Sequence, residues 1–180
     1  MKKNILFLFL ITTNILFANN KLPLIIDTQE KIFLKISKEI GKKLPENIEI
    51  LVYDLFFINS NDLNLQQKIN NNFYLILSSN QFINKYSLTF IKELKEKKED
   101  IDFSFIENQN HFELISFGNY LKMDAVMIST ITILENTKRL IWDKKNNKFI
   151  YKKIALIQSN IFNTETSNSL YRFSYYFLLD

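Results

Sequence analysis

No cysteine occurs among the 180 residues. That excludes disulfides, thiolate metal sites and a lipid-modified N-terminal cysteine, and it leaves stability to the hydrophobic core. Glycine and proline are almost as scarce, at two each. Gly41 and Gly118 lie too far apart to form a glycine-rich phosphate loop. Tight turns must therefore rest on Asn and Asp, which tolerate left-handed backbone better than most residues. His111 is the only histidine, and neither Gly-x-Ser-x-Gly nor His-Glu-x-x-His is present. Glu107 and His111 would share a helical face, but two ligands make a poor metal site, so His111 reads as a surface or helix-start residue. Nothing points to a Ser-His-Asp set, whose members would be distant in the chain. The inventory predicts no catalytic residue, no cofactor, no metal and no enzyme.

What is present begins with a leader. Met1-Lys2-Lys3-Asn4 is a short basic region, Ile5 to Ile11 is apolar, and Leu16-Phe17-Ala18 precedes polar Asn19-Asn20. This predicts a secretory signal peptide over residues 1–18, cut after Ala18, although Leu16 stands where a small residue is preferred. The rival reading is an uncleaved membrane anchor, but Thr12, Thr13 and Asn14 interrupt the apolar run short of the ~20 residues a span needs. Removing Lys2 and Lys3 with the leader lowers the formal net charge from +4 to +2, so no nucleic-acid partner is inferred from charge.

Residues 19–180 are enough for one domain with a real core. The stretch around which it is organised is Met123 to Leu134, free of charge after Asp124 and rich in β-branched residues, which fits a strand buried on both faces. Asp27-Thr28-Gln29-Glu30 resembles a helix cap with its capping box, Ile32, Phe33, Ile36 and Ile40 share one face, and Gly41 with Pro45 ends the helix. Asn47 to Ile58 reads as a strand. Leu65, Ile69, Phe73, Ile76 and Leu77 form the stripe of a second helix opening at Ser60-Asn61-Asp62, followed by a short strand over Gln81 to Tyr86. Helical spacing resumes over Thr89 to Lys98 and ends in a solvated charge block, Lys95 to Asp100. Ile101 to Phe105 is ambiguous between strand and loop. A helix over Phe112 to Leu121 is expected to bury Phe112, Ile115, Tyr120 and Leu121, with Gly118 there for close packing on the sheet. Arg139 to Asp143 and Lys148 to Ile161 read as a hairpin turned by Asn146-Asn147. After a polar turn, Asn163 to Ser169, the residues Tyr171, Phe173, Tyr175 and Phe177 alternate onto one face as a core layer. The expected class is α/β: a single domain with a mixed β-sheet packed by amphipathic helices and C-terminal antiparallel strands.

Gly118 to Thr132 resembles the Gly-x-x-x-x-Ala-Asp-Ala-hydrophobic-x-x-Gly-Thr-hydrophobic-Thr pattern of a bacterial envelope superfamily. That superfamily includes CsgG-type curli secretion channel proteins, FlgO-type flagellar outer-membrane proteins and LpoB-type activators of penicillin-binding proteins. Asn160 to Tyr171 is similar to its later strand–turn–strand, and the order of elements matches over roughly residues 45 to 178, including a short strand beginning at Phe82. Ser129 and Ser167 stand where the family commonly has Gly, and no Asp-Arg follows the short strand. The resemblance implies a non-catalytic envelope role, periplasmic and outer-membrane associated. The partner it implies is a peptidoglycan synthase or a flagellar or outer-membrane component. An oligomeric secretion channel of the curli type is the second reading, and it would require membrane hairpins of ~9–11 alternating residues per strand. An enzyme of unknown chemistry is the third.

The most unusual surface stretch is Lys138 to Lys153. It carries Lys138, Arg139, Lys144, Lys145, Lys148, Lys152 and Lys153 against Asp143 alone, interleaved with Trp142, Phe149 and Tyr151. In an exported protein this pattern points to a partner protein or an anionic envelope surface rather than to nucleic acid. The candidate contact residues are Lys138, Arg139, Trp142, Lys144, Lys145, Lys148 and Lys152. The competing reading is a solvated hairpin whose aromatics pack back on the domain.

Overall fold

The computed structural model describes residues 26–84, 86–97, 103–106, 110–143 and 146–179. The signal peptide expected over residues 1–18 lies outside them, as do Lys98 to Asp102, Lys144 and Lys145.

The apolar run after Asp124 forms the middle of a seven-stranded mixed sheet of order β1-β7-β6-β5-β2-β4, with β3 also paired to β5. The strands are β1 (Asp27–Thr28), β2 (Glu49–Val52), β3 (Phe56–Ile58), β4 (Ser87–Phe90), β5 (Ala125–Asp143), β6 (Lys148–Asn163) and β7 (Ser169–Leu178). Ala125 to Ser129 are buried one after another, as a strand covered on both faces requires. β5 pairs in parallel with β2 and β3 on one side and antiparallel with β6 on the other. β6 and β7 complete the antiparallel half.

Side-chain alternation divides the sheet's contacts into two layers. Ile50, Val52, Met127, Ile131, Ile157, Phe173 and Phe177 face the helices α1 (Gln29–Lys43) and α2 (Leu63–Asn84). Leu51, Tyr53, Val126 and Ile128 face α3 (Ile91–Lys97), a 3-10 turn at Ser104–Ile106 and α4 (His111–Tyr120). The expected stripes of α1 and α2 are the buried ones, and Tyr171, Phe173, Tyr175 and Phe177 do lie together in the helix-covered layer.

Several expectations need correcting. Thr28 occupies the N-cap of α1 but its side chain makes no capping hydrogen bond, because Asp27–Thr28 pair with β7. Gly41 lies inside α1, which runs on to Lys43 and stops at Pro45 as expected, its C-cap Leu44 extended as residues before a proline usually are. The early strand breaks into β2 and β3 with one extra residue between them, and Asn70 of α2 accepts the freed Leu55 N–H at 2.8 Å. Gln81 to Asn84 continue α2, and the strand begins at Ser87. No Gly or Pro stops the helix there, and propagation adds one hydrogen bond per residue. Thr89 and Phe90 consequently belong to β4, and the next helix starts at Ile91. Of the positions expected to be buried in α4, Phe112 and Tyr120 are exposed, while Leu114 and Ile115 point inward. Gly118 sets that rotation. A Cβ there would stand 2.2 Å from Val126 Cγ1, so the Gly118 side of α4 is the side pressed on β5. β5 itself does not stop at Leu134 but runs on to Asp143.

Candidate contact hairpin

The residues that carry the superfamily resemblance turn out to build the framework. After Gly118, Lys122 takes a left-handed φ of 59°, and the Met123 N–H donates to Gly118 O at 3.0 Å, closing α4. Asp124 then joins three segments. Its Oδ2 accepts from Glu49 N at 2.9 Å, its N–H donates to Glu49 O at 3.1 Å, and its carbonyl accepts from Thr164 N at 3.1 Å. Ser129, where the family pattern has Gly, meets Ser159 directly across the β5–β6 ladder, and the two buried hydroxyls share a 2.7 Å hydrogen bond. Ser167, the other substituted Gly, holds φ 57° in the β6–β7 turn. Of the five described non-glycine residues with positive φ, Asn47, Asn59 and Asn147 are asparagines, as the shortage of glycine predicted.

Burial also sets the character of Tyr53 and His111. Burial pushes the Tyr53 phenol far above its ordinary pKa, and it donates to Leu114 O at 2.7 Å, tying the residue after β2 to α4. Burial lowers the His111 pKa, and its ring lies 6.0 Å from that of Phe162. Glu107, which the sequence would place on the same helical face as His111, lies outside the described residues, among which no group of three His, Cys, Asp or Glu could hold a metal.

The Lys-rich stretch is a β-hairpin, as predicted, with Lys138↔Lys153, Leu140↔Tyr151, Trp142↔Phe149 and Asp143↔Lys148 in register. Asn146 donates to Asp143 Oδ2 at 2.7 Å and Asn147 turns the chain at φ 50°. Between Ile133 and Lys138 the register slips by three residues of β5, from Ile133↔Ala155 to Lys138↔Lys153. An odd slip reverses which β5 side chains face which way. Beyond it, Lys138, Leu140 and Trp142 join Phe149, Tyr151 and Lys153 on the face that continues the helix-covered layer. Arg139, Ile141 and Asp143 join Lys148, Ile150 and Lys152 on the other, where Ile141 packs with Ile26, Ile154 and Leu178. The hairpin is thus anchored by one face only.

The sequence-derived candidates therefore separate. Lys138 and Trp142 share the outward face, Arg139, Lys148 and Lys152 lie on the opposite one, and Lys144 and Lys145 fall outside the described residues. The aromatics do not pack back on the domain. Leu140 is 49 % exposed, Trp142 46 %, Phe149 63 % and Tyr151 70 %, and the Trp142 and Phe149 rings meet edge to face at 4.8 Å. Leu140, Phe149 and Tyr151 share the outward face with Lys138, Trp142 and Lys153. Their common face was hidden because it depends on the register slip. At the hairpin's root, Asn59, Leu134, Glu135, Thr137 and Lys153 line a cleft of about 350 Å³. It is open and polar, unlike the apolar enclosures that hold small molecules.

No protein-family profile matches the sequence, and no curated protein matches it. Solved structures do. The LpoB C-terminal domain from Escherichia coli superposes with a TM-score of 0.55 at 10% identity, covering 82% of this chain and 96% of that one. The Salmonella enterica LpoB C-terminal domain gives 0.52 at 12% identity, covering 83% and 94%. A lipoprotein from Neisseria meningitidis gives 0.47 at 12% identity, covering 72% and 81%. The chain has the fold of an LpoB C-terminal domain.

Proposed function

We propose that this is an exported, non-catalytic accessory protein of the bacterial cell envelope that acts by binding another envelope protein. Its partner belongs to cell-wall synthesis or to flagellar or envelope assembly. The observation that carries this reading is the LpoB-type fold, which spans nearly the whole solved domain. One feature supports it: the stretch that resembles the superfamily motif serves packing rather than chemistry. Residues 1–18 direct export, and the mature chain starts at Asn19 in the periplasm, in contact with the outer membrane. Among the described residues no helix is long and apolar enough to cross a membrane. A curli-type channel is the weaker reading. The hairpin offers six paired residues per strand, short of the ~9–11 that a membrane strand needs.

The test is crosslinking in cells followed by capture of the tagged protein and identification of what comes with it. A peptidoglycan synthase or a flagellar component is the expected product. Recovery of the protein only with itself, as a large membrane-associated ring, would overturn the accessory role in favour of the channel.

A further inference from the structure

We infer that the outward face of the hairpin is a docking surface for an anionic lipid bilayer, lying flat in the headgroup layer with Trp142, Phe149, Tyr151 and Leu140 turned into it. The inference rests on reading the hairpin as the protein's contact surface and names what that surface contacts. This face continues the layer that α1 and α2 cover over the body of the sheet, and past the register slip its side chains are exposed. The apolar pattern of a core face is carried on where no described helix covers it.

Four large side chains about half exposed or more amount to on the order of 400 Å² of apolar surface, enough to mark an interaction site. Chemistry selects a bilayer as its occupant. Trp and Tyr, with an apolar body and one polar atom, favour the boundary between headgroups and acyl chains. Lys138 and Lys153 stand at the inner end of the same face, both exposed. Their long stems let the ammonium groups reach phosphates while the aromatics sit deeper. Six residues per strand at ~3.3 Å each give about 20 Å, which suits lying along a surface and not crossing it.

Trp142 is the only tryptophan in the chain, so its fluorescence reports this face alone. The exported protein is mixed with vesicles of phosphatidylcholine, with or without phosphatidylglycerol, and with brominated lipids as depth markers. The expected result is a blue shift and shallow bromine quenching only when phosphatidylglycerol is present, weakened by salt. Lys138→Gln/Lys153→Gln should weaken vesicle binding about thirtyfold, since each lysine near an anionic surface contributes roughly a kcal/mol. Phe149→Ser/Tyr151→Ser, at positions too exposed to unfold the domain, should weaken it by at least as much. Absence of binding overturns the inference, and so does salt-sensitive binding without a Trp142 shift. Partner capture with the same preparations separates this from the broader reading. A partner recovered without vesicle binding sinks only the bilayer contact, and an acidic protein crosslinked to the hairpin would be its replacement. Vesicle binding with no envelope partner would leave the bilayer contact standing and remove the accessory role.

Discussion

Gly118 leaves no room for a methyl group. Its would-be Cβ collides with Val126 Cγ1 at 2.2 Å and touches Thr164 Cγ2 at 3.0 Å, both on structure that the rest of the sheet holds in place. Gly118→Ala should lower unfolding stability by about 1–3 kcal/mol in urea titration, the usual cost of overpacking. Pairing it with Val126→Ala should cost less than the sum of the two single changes. Ser129 and Ser159 make a second prediction. Ser129→Ala strands a buried hydroxyl on Ser159 and should cost about 1–3 kcal/mol, whereas replacing both serines should fall closer to the wild type. At Ser167 the change should go the other way. A left-handed non-glycine residue costs ~1–2 kcal/mol, partly offset by the extra freedom of an unfolded glycine, so Ser167→Gly should stabilise by about 0.5–1 kcal/mol.

Among the elements, α1 and β7 are joined by a carboxylate. Glu39 accepts from Tyr171 at 3.1 Å and from Tyr175 at 2.5 Å, and Lys35 lies 4.1 Å from the Tyr175 ring centroid. Burial, reinforced by Glu39, raises the Tyr175 pKa well above its ordinary 10.0. A group whose pKa is raised on folding stabilises the native state below its unfolded pKa and loses that contribution as pH rises. Stability should therefore fall as the pH climbs above 10, and Glu39→Gln should make the fall shallower while lowering the denaturation midpoint at neutral pH. Circular dichroism melts from pH 8 to 11 would show both effects. The elements were the most legible level of the sequence. The stripes of α1 and α2, the doubly buried start of β5 and the aromatic alternation of β7 follow from periodicities of 3.6 and 2, which belong to single segments. Gln81 to Asn84 misled because a short apolar run fits either period, and the helix already under way decided it.

At the scale of the molecule, α1 and α2 pack on one layer of a single sheet while α3 and α4 pack on the other, so neither layer can be lost without the other. Residues 19–180 should unfold in one calorimetric transition, with calorimetric and van't Hoff enthalpies equal. Two transitions would mean that the single-domain reading is wrong. By itself the sequence determined the α/β class, the identity of most core faces, the reliance on asparagine for left-handed turns and the position of the hairpin. All of these rest on composition or on contacts between near neighbours in the chain. What only the tertiary structure decided was which way things face. The rotation of α4 is fixed by Gly118 against Val126 and Thr164, and the division of the basic hairpin into an anchored and an outward face follows from a register slip between distant strands. Both depend on pairings between segments, and no period within one segment encodes them.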